Sequence, residues 1–176
     1  WEVCDEDVYV FLKPKPHDPH DFRTIMDFGI EHRARQYLVG APLSARANLA
    51  PNQFFNQGGI TTAIRTVCEA LKNGYRYATE IDISHCFDSF DPQEVPNHLP
   101  LPKEVTQLTV LSHTFNIRPY DDPHILASEF REYLEFMGVR WGIPQGSAIS
   151  SFVAEVLLAP AIAQLPDCGV AVAYAD

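Results

Sequence analysis

A chain of 176 residues with 46% hydrophobic and 20% charged side chains can fill one compact domain, or two small lobes around a shared core, and is too apolar to stay disordered. No apolar run approaches the ~20 residues of a membrane span and no secretory leader opens the chain, so the expectation is a cytoplasmic protein with no membrane partner. A formal net charge of −10 has the wrong sign for gripping phosphates and, on composition alone, argues against nucleic acid. Cys4, Cys68, Cys86 and Cys168 are scattered without a Cys-x-x-Cys pair, which predicts reduced thiols in place of a disulfide framework or a zinc site.

In chain order, Val8–Leu12 reads as a strand and Lys13–Asp21 as an irregular loop, because its prolines remove backbone donors. Phe22–Phe28 reads as the return strand. His17 and His20 have no matching pair at metal-site spacing and belong to an exposed loop. Glu31–Val39 is expected to be helical, Pro42–Gly59 loop-like, and the stretch from Thr61 to Leu71 a helix ending at Asn73-Gly74 with its apolar face in the core.

Tyr77–Asp82 alternates apolar and polar residues and predicts a strand that ends at Asp82. A proline-rich connection follows, then two helical segments marked by Val105, Leu108 and Leu111 and by Phe130, Leu134 and Met137. Arg118–Pro123 is read as a polar link between them. Gly142–Ser151 is a Gly/Pro-shaped turn before a helix with a buried stripe from Ile149 to Leu157, and Val170–Asp176 reads as a buried strand.

Three segments stand in a telling order: Asp82-x-x-x-x-Phe87, then Gly142-Ile-Pro-Gln-Gly-Ser147, then Tyr174-Ala-Asp176. In this order the chain resembles the fingers and palm of a bacterial-type reverse transcriptase, of the broad group that holds retron, group II intron and defence-associated enzymes. The resemblance implies an α+β fold, with right-hand polymerase fingers over residues 1–74 and a palm over 75–176. The palm would be a small antiparallel sheet backed by helices, with no thumb and with the catalytic hairpin cut at its last motif.

The resemblance also implies roles. Asp82 and Asp176, with the main-chain oxygen of Ile83, would hold two Mg²⁺ ions (Mn²⁺ being a substitute), since hard carboxylate oxygens suit such ions. Arg23 would hold the triphosphate of the incoming nucleotide, with Lys13 or Lys15 assisting; an ordinary solvated basic loop is the plainer reading. Arg33 and Gln36 match an Arg-x-x-Gln pattern, with Arg33 either touching template or bracing the fingers. Phe87 would lie beneath the sugar and exclude a 2′-hydroxyl; the plainer reading is a core aromatic, and Asp88 and Asp91 are turn or capping residues. Gln145 and Gly146 would approach the nucleotide and template base, and Tyr174 the primer end.

The implied activity is RNA-directed DNA synthesis, adding dNTPs to a DNA or RNA primer on an RNA template. Two alternatives remain: a non-catalytic nucleic-acid-binding or defence-assembly module on the same scaffold, and an RNA-directed RNA polymerase. The acidic balance favours the first alternative, and Phe87 argues against the second.

Overall fold

A computed structural model describes residues 2–15, 18–55, 57–120, 142–165 and 169–174. The expected helix around Phe130, Leu134 and Met137, together with Cys168 and Asp176, lies outside the described residues. The class is α+β, with a small three-stranded mixed sheet and helices around it.

The hairpin forms first in the chain, with β1 at Asp7–Lys15 and β2 at Asp18–Phe28 paired antiparallel. Alternation decides its faces: Val8 and Val10 turn inward opposite Phe28 and Met26, and Tyr9 and Phe11 turn outward. Phe115 closes this small core, meeting Phe28 edge to face at 5.4 Å. The prolines do not unravel the segment, as had been expected of Lys13–Asp21. Pro14 pairs with Phe22 just before a register shift, on a part of β1 that has no second neighbour, and Pro19 lies on an edge strand. There the missing donors break no ladder.

β3, Asn116–Pro119, runs parallel to β1 on its other side, giving the order β2-β1-β3. This corrects one expectation, since part of the supposed polar link is a strand; the described sheet is mixed and built on the N-terminal hairpin, whereas the antiparallel sheet was expected within 75–176. Arg118 binds Asp7 at 2.7 Å, and Tyr120 packs edge-on against Tyr9 and Phe11, so side chains on the outer face reinforce a pairing only four residues long.

α1 spans Ile30–Arg46 and runs through Pro42, past the end expected at Val39. Val39 and Leu43 are fully buried on either side of that proline, so packing outweighs the lost backbone bond. They join Leu111, Ile143 and Val153 in the main core, to which α4 (Val95–His98), α5 (Lys103–Thr109) and α6 (Ser150–Ile162) contribute.

α2, Gly59–Lys72, forms where the periodicity predicts but carries no side-chain cap. Its apolar face is not core: Ile60, Ile64, Val67 and Leu71 are all exposed and only Ala63 is buried. Amphipathic spacing specifies a face without specifying what covers it. The Tyr77–Asp82 strand is likewise not formed. Residues 75–83 carry no ladder and are exposed along their length, with Tyr77 97% accessible. An alternating sequence becomes a strand only beside a partner, and none of the described segments lies there. Val170–Tyr174 contributes only one isolated parallel bridge, Ala173 to Gln53.

Candidate functional site

The loop after residue 141 is tied to three separate parts of the fold. Ile143 N–H donates to the Phe87 carbonyl at 2.9 Å, and Met26 N–H donates to the Gln145 carbonyl at 2.8 Å. Ala148 N–H donates to Gln36 Oε1 at 3.0 Å. Within the turn, Ser150 Oγ donates to the Pro144 carbonyl at 2.6 Å and fixes the entry into α6.

Two glycines make this approach possible. Gly142 has φ 72° and Gly146 has φ 104°, in the left-handed region. A Cβ would lie 2.0 Å from the Phe87 oxygen at the first and 2.2 Å from the Met26 oxygen at the second. The segment carrying Phe87, the strand carrying Arg23 and the Gly-Ile-Pro-Gln-Gly-Ser loop therefore meet at backbone contact.

Phe87 sits in α3, Cys86–Ser89, half-buried and packed on the edge of the main core. Gln145 is half-buried and Gly146 exposed. Arg23 is exposed on β2, directly opposite exposed Lys13 on β1. Directly paired side chains share a face, so two cations are juxtaposed, an arrangement that costs stability unless an anion lies between them. Neither has a carboxylate partner among the described residues. Arg33, by contrast, braces the corner between β2 and α1: its Nε donates to the Phe28 carbonyl at 2.6 Å and its Nη2 to Asp27 at 2.8 Å.

Asp82 lies on the exposed 75–83 segment, and its carboxylate has no hydrogen-bond or ion-pair partner among the described residues. Ile83 beside it is also exposed. Tyr174 is exposed by 41% and packs on Phe55, which stacks on Phe152 of α6 at 5.8 Å. Gly169, at the start of that segment, lies beside the Tyr75 ring, from which the chain runs on towards Asp82. The proximity of Asp82 to Asp176 falls outside the described residues.

Gln53 escaped sequence reasoning. Completely buried, it donates through Nε2 to the Glu155 carboxylate at 2.5 Å and to the Glu155 carbonyl at 2.8 Å. Ala50 N–H donates back to its Oε1 at 2.7 Å. The Ala173 N–H and carbonyl then bond Asn52 and Phe54 on either side, so this buried amide anchors the segment that delivers Tyr174. Its setting in a loop of helix breakers carried no signal. Gln36 had one, the Arg-x-x-Gln pattern; its Oε1 holds the loop, and its buried Nε2 has no partner among the described residues.

Burial raises the Cys86 thiol above its ordinary value near 9.0, and the negative charges of Asp82 and Asp88 raise it further. The native state thus holds this proton more tightly than the unfolded chain, so its contribution to stability falls as pH rises from 9.0 through the folded value. Alkylation at mildly alkaline pH should modify exposed Cys68 before Cys86, and Asp82→Asn should speed modification of Cys86 selectively. Peptide mass spectrometry reads both rates; an unchanged Cys86 rate in Asp82→Asn would separate Asp82 from this thiol.

Among the described residues, one further cluster of metal-ligating type is present, Cys4, Glu6 and His32, at the foot of α1. No helix among the described residues is long and apolar enough to cross a membrane. No family model, curated protein or solved structure matches this chain.

Proposed function

We propose that the chain is the fingers-and-palm core of an RNA-directed DNA polymerase, transferring dNTPs to a primer 3′-hydroxyl on an RNA template. The observation that carries this reading is the convergence of the Gly142–Ser147 loop on Phe87 and on Met26 of β2. Two of the three ordered motif segments, those of Phe87 and of Gly142–Ser147, are thus in backbone contact although far apart in sequence. The Lys13–Arg23 juxtaposition, with no carboxylate partner among the described residues, supports it independently, as a place for a triphosphate.

The carboxylate of Asp82, without a partner among the described residues, is a hard oxygen donor and fits Mg²⁺. Asp82, the Ile83 carbonyl and Asp176 would hold the ions, which when bound lower the pKa of the primer hydroxyl and neutralise the departing pyrophosphate. The chain's own residues would do the rest. Arg23 and Lys13 hold phosphate oxygens, Gln145 offers a donor and an acceptor to the nucleotide, and the Phe87 ring occupies the space of a 2′-hydroxyl.

Sugar selectivity tests this reading. The wild-type protein should extend a primer with dNTPs and discriminate strongly against NTPs, and Phe87→Ala should relax that discrimination at least tenfold in kcat/KM. A melting curve must accompany it, because the ring also packs on the core. Equal use of both nucleotides by the wild type would favour the RNA polymerase reading, and unchanged selectivity in a folded Phe87→Ala would make Phe87 a packing residue alone.

A second reading, a non-catalytic nucleic-acid-binding or defence-assembly module, is favoured by the exposed, unladdered segment around Asp82 and by the net charge of −10. It predicts template binding that is indifferent to Asp82.

A further inference from the structure

The segment before β1 crosses the N-terminal end of α1, and there Cys4, Glu6 and His32 come together. A ring nitrogen of His32, the Cys4 sulfur and a Glu6 carboxylate oxygen all lie within 4.8 Å of one another. Cys4 and His32 are almost completely buried. Glu6 Oε2 accepts the His32 backbone N–H at 3.0 Å and so serves as the cap that α1 lacks from its own Gly29. The space for this carboxylate is built in, since a Cβ on Gly29 would fall 2.1 Å from Glu6 Oε1.

Capping accounts for one oxygen of Glu6. It does not account for a buried thiol beside a buried imidazole. His32 Nε2 lies 3.1 Å from the Glu6 carbonyl oxygen, and the ring is fixed edge-on against Phe28 at 5.7 Å and Phe115 at 4.9 Å. With one ring nitrogen donating to a backbone carbonyl, the other keeps its lone pair, which is how ligating histidines are commonly oriented. The remaining Glu6 oxygen and the sulfur complete three donors of mixed N, S and O type. A thiolate, a carboxylate and a neutral imidazole balance a divalent charge.

We propose that Cys4, Glu6 and His32 bind a zinc-type transition-metal ion that clamps the N-terminal segment onto α1. Sulfur and imidazole donors select zinc or cobalt over magnesium, so this site is chemically distinct from one at Asp82 and independent of the polymerase reading. On binding, the Cys4 S–H bond breaks, its proton leaves to water, and a sulfur–metal bond forms with no change of oxidation state. The donors must close in by about an ångström to reach bonding distances of about 2.0–2.3 Å. The position left over is open to water.

The test uses the whole protein in a Cys68→Ser, Cys86→Ser, Cys168→Ser background, stripped with chelator and titrated with Co²⁺ and with Zn²⁺. We expect one ion per chain by native mass spectrometry, thiolate-to-cobalt charge-transfer absorption, and a melting temperature raised by Zn²⁺ but not by Mg²⁺. Glu6→Gln keeps a capping oxygen and should fold, binding at least tenfold more weakly, and Cys4→Ala should lose the charge-transfer band. Absence of stoichiometric binding, or binding in Cys4→Ala and Glu6→Gln as tight as in the parent protein, would overturn the proposal.

Discussion

Asp82→Ala is expected to lower primer extension at least a hundredfold, the scale seen when one preorganised group that stabilises transition-state charge is removed. The same substitution should shift stability by no more than about 0.5 kcal/mol, as for surface positions with no special contact. The pairing of these outcomes follows from where the side chain stands. Asp82 is exposed, and no described residue bonds its carboxylate, so the fold gains nothing visible from it. Its worth would lie in the Mg²⁺ it helps hold. A large loss of stability would instead make it a structural residue. An unchanged extension rate would remove it from the chemistry.

Gly142→Ala should have the largest effect on the fold itself. A left-handed backbone costs an alanine about 1–2 kcal/mol on its own. Here the new methyl would also lie 2.0 Å from the Phe87 oxygen and 2.9 Å from the Asp88 Cα, both backbone atoms that cannot rotate away. Relief requires parting Ile143 from Phe87, which gives up their 2.9 Å hydrogen bond, a further cost of about 1–3 kcal/mol if the groups stay buried. The total is about 3 kcal/mol or more by chemical denaturation. Gly59→Ala is the matched control: its φ is 62°, but nothing lies within 4 Å of the added Cβ. Similar losses at both positions would mean that backbone conformation, and not the close approach to Phe87, is what Gly142 supplies.

Local patterns were legible where they determine structure locally. The strand-like runs Val8–Leu12 and Phe22–Phe28 predict the two strands of the hairpin, and the apolar run after Ile149 predicts α6. The reading erred where tertiary context outweighs propensity, as at Pro42, carried through α1 by the buried Val39 and Leu43. It also erred where a pattern needs a partner that the described fold does not offer. Tyr77–Asp82 has the alternation of a strand but no ladder, and α2 has the spacing of a core helix but no cover. β3 was hidden because four residues carry little periodicity, and because its register depends on β1, more than a hundred residues earlier.

The candidate site was legible only through motif order. Spacing alone says nothing of Phe87 meeting Ile143, or of Met26 meeting Gln145; motif order pointed to the first pair and gave no sign of Met26. Gln53 and the Cys4–Glu6–His32 cluster had no such guide. Each is assembled by packing between distant segments, and Cys4 and His32 look unremarkable in a sequence without paired metal-site spacing.

The most direct test of the central claim is template-directed extension of a labelled primer by the full natural chain, on an RNA template with Mg²⁺ and dNTPs. The proposed function predicts products that follow the template sequence, require the metal, and disappear with Asp82→Ala. No extension on any primer–template pair, together with RNA binding that Asp82→Ala leaves intact, would contradict it and leave the scaffold reading in its place.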